Sequence, residues 1–102
     1  MSSTFVVRYE MKPDQADENA RLVEQVFAEL KAEQPEGFRY ATFRLADGVS
    51  FIHVVSYDSD DIDPLGASAA FQEFQKGFAD RMAAPPQRGP ATVVGAYGFL
   101  TD

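Results

Sequence analysis

His53 is the chain's one histidine, and there is no cysteine. An imidazole titrates near neutral pH, so His53 can act as a general base. The same counts exclude disulfides, thiol catalysis, cysteine-ligated zinc and a multi-histidine metal site within one chain. His53 stands in Val49–Tyr57 (VSFIHVVSY), and the apolar segment before it is Phe38–Ala46 (FRYATFRLA). In extended chain, alternate residues share a face. Phe38, Tyr40, Thr42 and Arg44 therefore share one face of the first segment, and Phe51, His53, Val55 and Tyr57 share one face of the second. If the two faces coincide, a phenol or quinone could take hydrogen bonds from Arg44, the tyrosines and His53. His53 and Arg44 are then the catalytic candidates, with Tyr40, Thr42 and Tyr57 as ligand contacts. The plainer alternative is a buried histidine bonded to Thr42 or to a partner chain, since no carboxylate stands ready to orient the ring.

Asp47-Gly48 separates the two segments and suits a two-residue type I′ turn, whose central residues both need φ > 0. Such a turn sets Ala46 opposite Val49, so that positions summing to 95 face each other. Thr42 then meets His53, Tyr40 meets Val55, Arg44 meets Phe51 and Phe43 meets Ile52. Upstream, Thr4–Met11 (TFVVRYEM) reads as a strand. Asp14 or Asp17 offers a cap for a helix from about Gln15 to Gln34, whose apolar positions are Ala16, Ala20, Val23, Val26, Phe27 and Leu30. Pro35, Glu36 and Gly37 end it. Asp58–Gly66 reads as a loop in which Asp63 caps a helix with Pro64 at its first position. The acids Asp58, Asp60, Asp61 and Asp63 miss the calcium-loop pattern, because Ile62 and Asp63 stand where an acid and a glycine belong. A helix over about Ala67 to Met82 presents Ala67, Ala70, Phe71, Phe74, Phe78 and Met82. Ala83–Pro90 is a turn-rich connector, and Ala91–Leu100 (ATVVGAYGFL) a last strand loosened by Gly95 and Gly98. Tyr9 and Tyr97 fall on strands expected to be adjacent and would flank a cavity with Phe74 and Phe78 in its wall. Core packing is the ordinary use of such aromatics.

The order β-α-β-β-α-β is the ferredoxin-like arrangement of the α+β class. Right-handed crossovers give a four-stranded antiparallel sheet of order 4-1-3-2 with both helices on one face. At 102 residues the whole chain, 1–102, is one domain. A net charge of −7 disfavours nucleic acid and an anionic membrane surface. No apolar run approaches the ~20 residues of a membrane span, and Met1 to Thr4 lacks the features of a leader. A soluble cytoplasmic protein is expected. Two helices cover only one sheet face, yet both faces are apolar: Phe43, Ile52 and Val54 on one, Phe38, Phe51 and Val55 on the other. A homodimer packed sheet to sheet is therefore expected. Which face meets the helices stays open at this stage.

The strand order, the two apolar faces and the segment Ser68-Ala69-Ala70-Phe71-Gln72-Glu73-Phe74 resemble the antibiotic-biosynthesis-monooxygenase-like family of dimeric α+β barrels. The resemblance covers nearly the whole chain. It implies a pocket between sheet and helices for an aromatic or polyketide-like molecule, oxidised without a cofactor. Haem is not implied, because Gln75 stands where the haem-degrading branch carries its axial histidine and Leu65 where it carries a tryptophan. The chain has no tryptophan, which also departs from the pocket of the quinone-forming oxygenases. Two functions follow: a small cofactor-independent monooxygenase-like enzyme, or a non-catalytic homodimer that binds a small apolar ligand or supports a partner. Neither requires a metal or a cofactor.

Overall fold

The first strand, β1 (Ser3–Glu10), carries Thr, Phe, Val and Tyr, side chains that pack well on a pleated surface. It lies inside a four-stranded antiparallel sheet of order β2-β3-β1-β4, with β2 at Phe38–Arg44, β3 at Ser50–Tyr57 and β4 at Gln87–Ala91. This is the expected order read from the other edge. The computed structural model describes residues 3–59, 61 and 63–98. Three helices, α1 (Ala16–Glu33), α2 (Ala69–Gln75) and α3 (Phe78–Arg81), complete a ferredoxin-like α+β fold.

α1 is entered through a single 3-10 turn, Pro13–Gln15, and Gln15 precedes it without a side-chain cap. Neither Asp14 nor Asp17 caps it. Asp17 instead reaches the Arg44 guanidinium at 3.0 Å. Its buried stripe is Ala16, Asn19, Leu22, Val23 and Val26, the spacing of one helical face. Gln34 closes α1 in the left-handed region at φ 50°, its N–H donating to the Leu30 carbonyl.

The β2–β3 register is as expected, from Phe38↔Tyr57 to Arg44↔Phe51, with Thr42↔His53 between them. The turn that sets it differs. Leu45 N–H donates to the Ser50 carbonyl at 2.8 Å, and Gly48 N–H to the Leu45 carbonyl at 3.0 Å. Gly48 has φ 80° while Asp47 stays at negative φ, so the loop is Ala46–Val49 and not a two-residue type I′ turn. The Asp47 carboxylate explains the choice. It accepts from Val49 N–H, Ser50 N–H and the Ser50 hydroxyl, bonds that a tighter turn would forgo. These donors hold its pKa below the ordinary carboxylate value.

The second helical region is not one helix from Ala67 to Met82. Asp63 caps a turn, its Oδ1 accepting from Gly66 N–H at 3.0 Å. α2 then starts from Ser68, whose hydroxyl accepts from Phe71 N–H at 2.9 Å. The helix breaks at Gly77, which adopts φ 72°, a conformation open to glycine at little cost. Carbonyls released by the break are taken by Arg81, whose Nη2 donates to Phe74 O at 2.7 Å and Nη1 to Lys76 O at 3.1 Å.

β4 begins four residues before the expected Ala91. Lys12 N–H donates to Arg81 O, Ala83 N–H donates to Glu10 O, and Met11 bridges Met82. The chain has therefore reached the sheet edge by Ala83, and pairing with β1 resumes at Gln87. Pro90 is tolerated because β4 is an edge strand. Residues 92–98 form no strand, and the Phe99 and Leu100 of the expected one lie outside the described residues. So do Asp60 and Ile62 of the acidic run, where Asp58 pairs with Arg39 at 2.9 Å.

The question of faces is settled. Tyr9, Phe51, His53 and Val55 are buried under the helices, with Phe74 of α2 and Val26 of α1 in the same core. Val6, Ala41, Phe43, Ile52 and Val54 alternate to the opposite face, where Phe43 is 42% exposed.

Candidate functional site between sheet and helices

His53 lies at the centre of β3, the strand flanked by β2 and β1. Cross-strand pairing sets Thr42 and Val7 opposite it, Tyr40 opposite Val55 and Tyr9 opposite Phe51. The two tyrosines thus approach the ring from either side. Tyr9 Oη is 2.6 Å from His53 Nε2, and Tyr40 Oη is 2.6 Å from Nδ1. Thr42 Oγ1 is also within 3.0 Å of Nδ1. Behind Tyr9, Asn19 Nδ2 donates to Oη at 2.9 Å, and Arg81 Nε donates to Asn19 Oδ1 at 3.4 Å. Rings wall the cluster: Phe74 packs 5.7 Å from His53, Phe78 stands edge-on to Tyr9 at 4.8 Å, and Phe27 stacks on Tyr40 at 4.7 Å.

Burial sets the protonation states. Desolvation lowers the His53 pKa to about 4, so the ring is neutral at neutral pH. Desolvation raises Tyr40 to about 12, against an opposing effect of Thr42. Tyr9 is raised further still, chiefly by burial, while Asn19 opposes the shift. Tyr9, His53 and Tyr40 are thus polar, hydrogen-bonded and uncharged, with the buried Arg81 guanidinium behind Asn19.

It forms the floor of a cavity of ≈ 880 Å³ between the sheet and α2–α3. That volume falls within the range of small-molecule sites. Tyr9, Tyr40, His53, Tyr57, Phe74 and Phe78 line it together with Phe5, Leu65 and Phe71. Asp63 and Arg88, both exposed, stand at the rim.

Most of the sequence-derived candidates meet here. His53, Tyr40, Thr42 and Tyr9 form one hydrogen-bonded cluster, and Tyr57, Phe74 and Phe78 line the cavity. Two are placed elsewhere. Arg44 shares the face of His53, but it lies at the hairpin end of β2. There its Nε donates to Gly48 O, its Nη2 pairs with Asp17, and the guanidinium sits 5.6 Å over the Phe51 ring. Tyr97 is not beside Tyr9. It lies beyond β4 and is fully exposed, because β1's second neighbour is Gln87–Ala91 and not the later segment. Asn19 and Arg81 were not among the candidates. The available signal was phase: each is a polar residue on an apolar helical stripe, Asn19 between Ala16 and Val23, Arg81 after Phe74 and Phe78.

Rv0793 from Mycobacterium tuberculosis superposes with a TM-score of 0.73 at 18% identity, covering 94% of this chain and 98% of that one. A proposed antibiotic biosynthesis monooxygenase from Nitrosomonas europaea gives 0.72 at 18% identity, covering 95% and 94%. SnoaB, a cofactor-independent oxygenase from Streptomyces nogalater, gives 0.66 at 20% identity, covering 95% and 97%. The chain has the fold of these antibiotic biosynthesis monooxygenase-like proteins. No protein-family model matches it, and no curated protein does. In this chain, the face of the shared sheet that carries His53 is the one under the helices. No helix among the described residues is long and apolar enough to cross a membrane.

Proposed function

We propose that the protein is a small cofactor-independent oxygenase of the monooxygenase type, acting on an aromatic, polyketide-like molecule held in the cavity above His53. One observation carries the reading: the buried His53 imidazole lies between two tyrosine hydroxyls on the floor of an aromatic-lined cavity of ≈ 880 Å³. A neutral histidine is a proton acceptor. An activated methylene of the ligand gives up a proton, which reaches His53 through Tyr9. Dioxygen is the oxidant: one oxygen atom becomes the carbonyl oxygen on that carbon, and the other leaves as water with both methylene hydrogens. Tyr40 donates to the oxyanion that develops on the ligand. Arg44, engaged by Asp17, serves the hairpin in this reading.

The working unit of this proposal is a cytoplasmic homodimer, closed over the outer sheet face that Val6, Phe43, Ile52 and Val54 occupy. Non-catalytic binding of an apolar ligand is the second reading, and the placement of Arg44 outside the cavity, engaged by Asp17, favours it. A thermal-shift screen with phenols, quinols and anthrone-like compounds, followed by oxygen uptake, separates the two. The first reading expects dioxygen consumption with a hit, falling on the order of 10²-fold in His53→Ala. A tight ligand that never consumes dioxygen supports the second.

A further inference from the structure

The hydrogen bonds around His53 run in one direction, and their direction can be read from chemistry. Arginine has only donors. Arg81 is fixed by the carbonyls of Phe74 and Lys76, and its Nε faces Asn19. The Asn19 atom it meets must therefore be the amide oxygen, which turns the NH2 group toward Tyr9. Tyr9 Oη thus accepts from Asn19 at 2.9 Å. The Tyr9 hydroxyl hydrogen then needs an acceptor, and the other polar neighbour within reach is His53 Nε2 at 2.6 Å. A neutral imidazole has one N–H, so with Nε2 accepting, the hydrogen is on Nδ1. Nδ1–H donates to Tyr40 Oη at 2.6 Å and is shared with Thr42 Oγ1 at 3.0 Å. Tyr40 accepts from the ring, and its own hydrogen points away from it.

We infer that Arg81, acting through Asn19 and Tyr9, holds His53 in the Nδ1–H tautomer and so makes Tyr40 a hydrogen-bond donor toward the cavity. Arg81 and Asn19 are positioning residues: neither lines the cavity. The ligand class follows. Its deep end is aromatic or apolar, and it carries a neutral acceptor oxygen, of the ketone or quinone kind, to meet the Tyr40 hydroxyl. The charged residues of the lining, Arg88 and Asp63, stand at the rim and not beside the Tyr40 hydroxyl. Where the ligand's oxygen comes to rest depends on the cavity reading proposed above. The tautomer does not.

His53 is the one histidine in the chain, so a long-range proton–nitrogen spectrum of protein with 15N-labelled histidine contains a single imidazole. In the ligand-free protein we expect a pyrrole-type Nδ1 and a pyridine-type Nε2. Asn19→Asp replaces the amide with an acceptor of equal size beside Arg81. Tyr9 must then donate to residue 19 and accept from the ring, so the tautomer should reverse to Nε2–H. Tyr40→Phe should leave it at Nδ1–H, because the Arg81 end sets it and Thr42 still accepts. A parent protein in the Nε2–H form, an unreversed Asn19→Asp, or a reversal in Tyr40→Phe would each overturn the inference. If Asn19→Asp does not fold, the parent and Tyr40→Phe spectra decide. Fluorenone and fluorene, which differ in the carbonyl oxygen, test the donor role. Tyr40→Phe should weaken fluorenone about tenfold and leave fluorene unchanged. Equal losses would overturn the donor role. Binding of neither by the parent would overturn the cavity reading while the tautomer result stands.

Discussion

The chemistry of this protein converges on one imidazole with both nitrogens occupied. His53 is 6% exposed, and burial moves its pKa from 6.5 to about 4. Below pH 6.5 the unfolded chain takes up a proton that the folded chain refuses, so stability falls as pH drops. The loss runs from about pH 6.5 to about pH 4 and then levels. A shift of this size corresponds to about 3 kcal/mol. We expect the difference in unfolding free energy between the parent and His53→Gln to shrink by about that amount across the window, measured by urea unfolding at several pH values. A difference independent of pH would contradict the buried neutral ring. Haem should not bind: His53 Nε2 is held by Tyr9, and residue 75 is glutamine. A haemin titration should show no histidine-ligated Soret band, and a 1:1 complex lost in His53→Ala would contradict this. The site was partly legible in the sequence. Strand alternation and register brought Tyr40, Thr42 and His53 together. Asn19 and Arg81 were hidden because helices decide them, and the bond each makes depends on how helix meets sheet.

Among the elements, those set by strong local chemistry were readable and those set by tertiary demand were not. The hairpin register survived a different turn, because Leu45 and Ser50 close the loop on the same sum of positions. The break between α2 and α3 was invisible, since Phe71, Phe74, Phe78 and Met82 keep helical phase across it. Only Gly77 marks it. A Cβ at Gly77 would meet Arg81 Nη1 at 3.6 Å, an ordinary contact. The expected penalty of Gly77→Ala is therefore that of positive φ alone, about 1–2 kcal/mol. A thermal melt that shows no loss would mean the helix can run on through the break. β4 was displaced because the direct bonds of Lys12 and Ala83 across the sheet end bring the chain to its edge early, and a proline on an edge strand did not prevent pairing.

For the molecule as a whole, one face of the sheet lies under the helices and the other does not, and paired substitutions separate them. Val55 is 8% exposed on the cavity side, and Val54 sits on the opposite face. Val55→Asp buries a carboxylate and should unfold the chain or cost several kcal/mol. Val54→Asp should leave the fold intact and split the proposed homodimer, read by sedimentation equilibrium at micromolar concentration. A parent that sediments as a soluble monomer would contradict the dimer, because the apolar outer face has no layer from this chain's helices to cover it. The β-α-β-β-α-β order and the need to cover two apolar faces were plain from alternation. Which face went inward was not, since both are apolar and the contacts that distinguish them, such as the Asn19–Tyr9–His53 bonds, are made between helix and sheet. The cavity over His53 is the proposed binding site. Titration of the 15N-histidine-labelled protein with fluorenone tests it most directly. We predict a saturable 1:1 shift of the His53 resonances, with the same midpoint as a tyrosine fluorescence change. Saturable binding that leaves His53 unmoved, while the amides of Val6, Ile52 and Val54 shift, would contradict it.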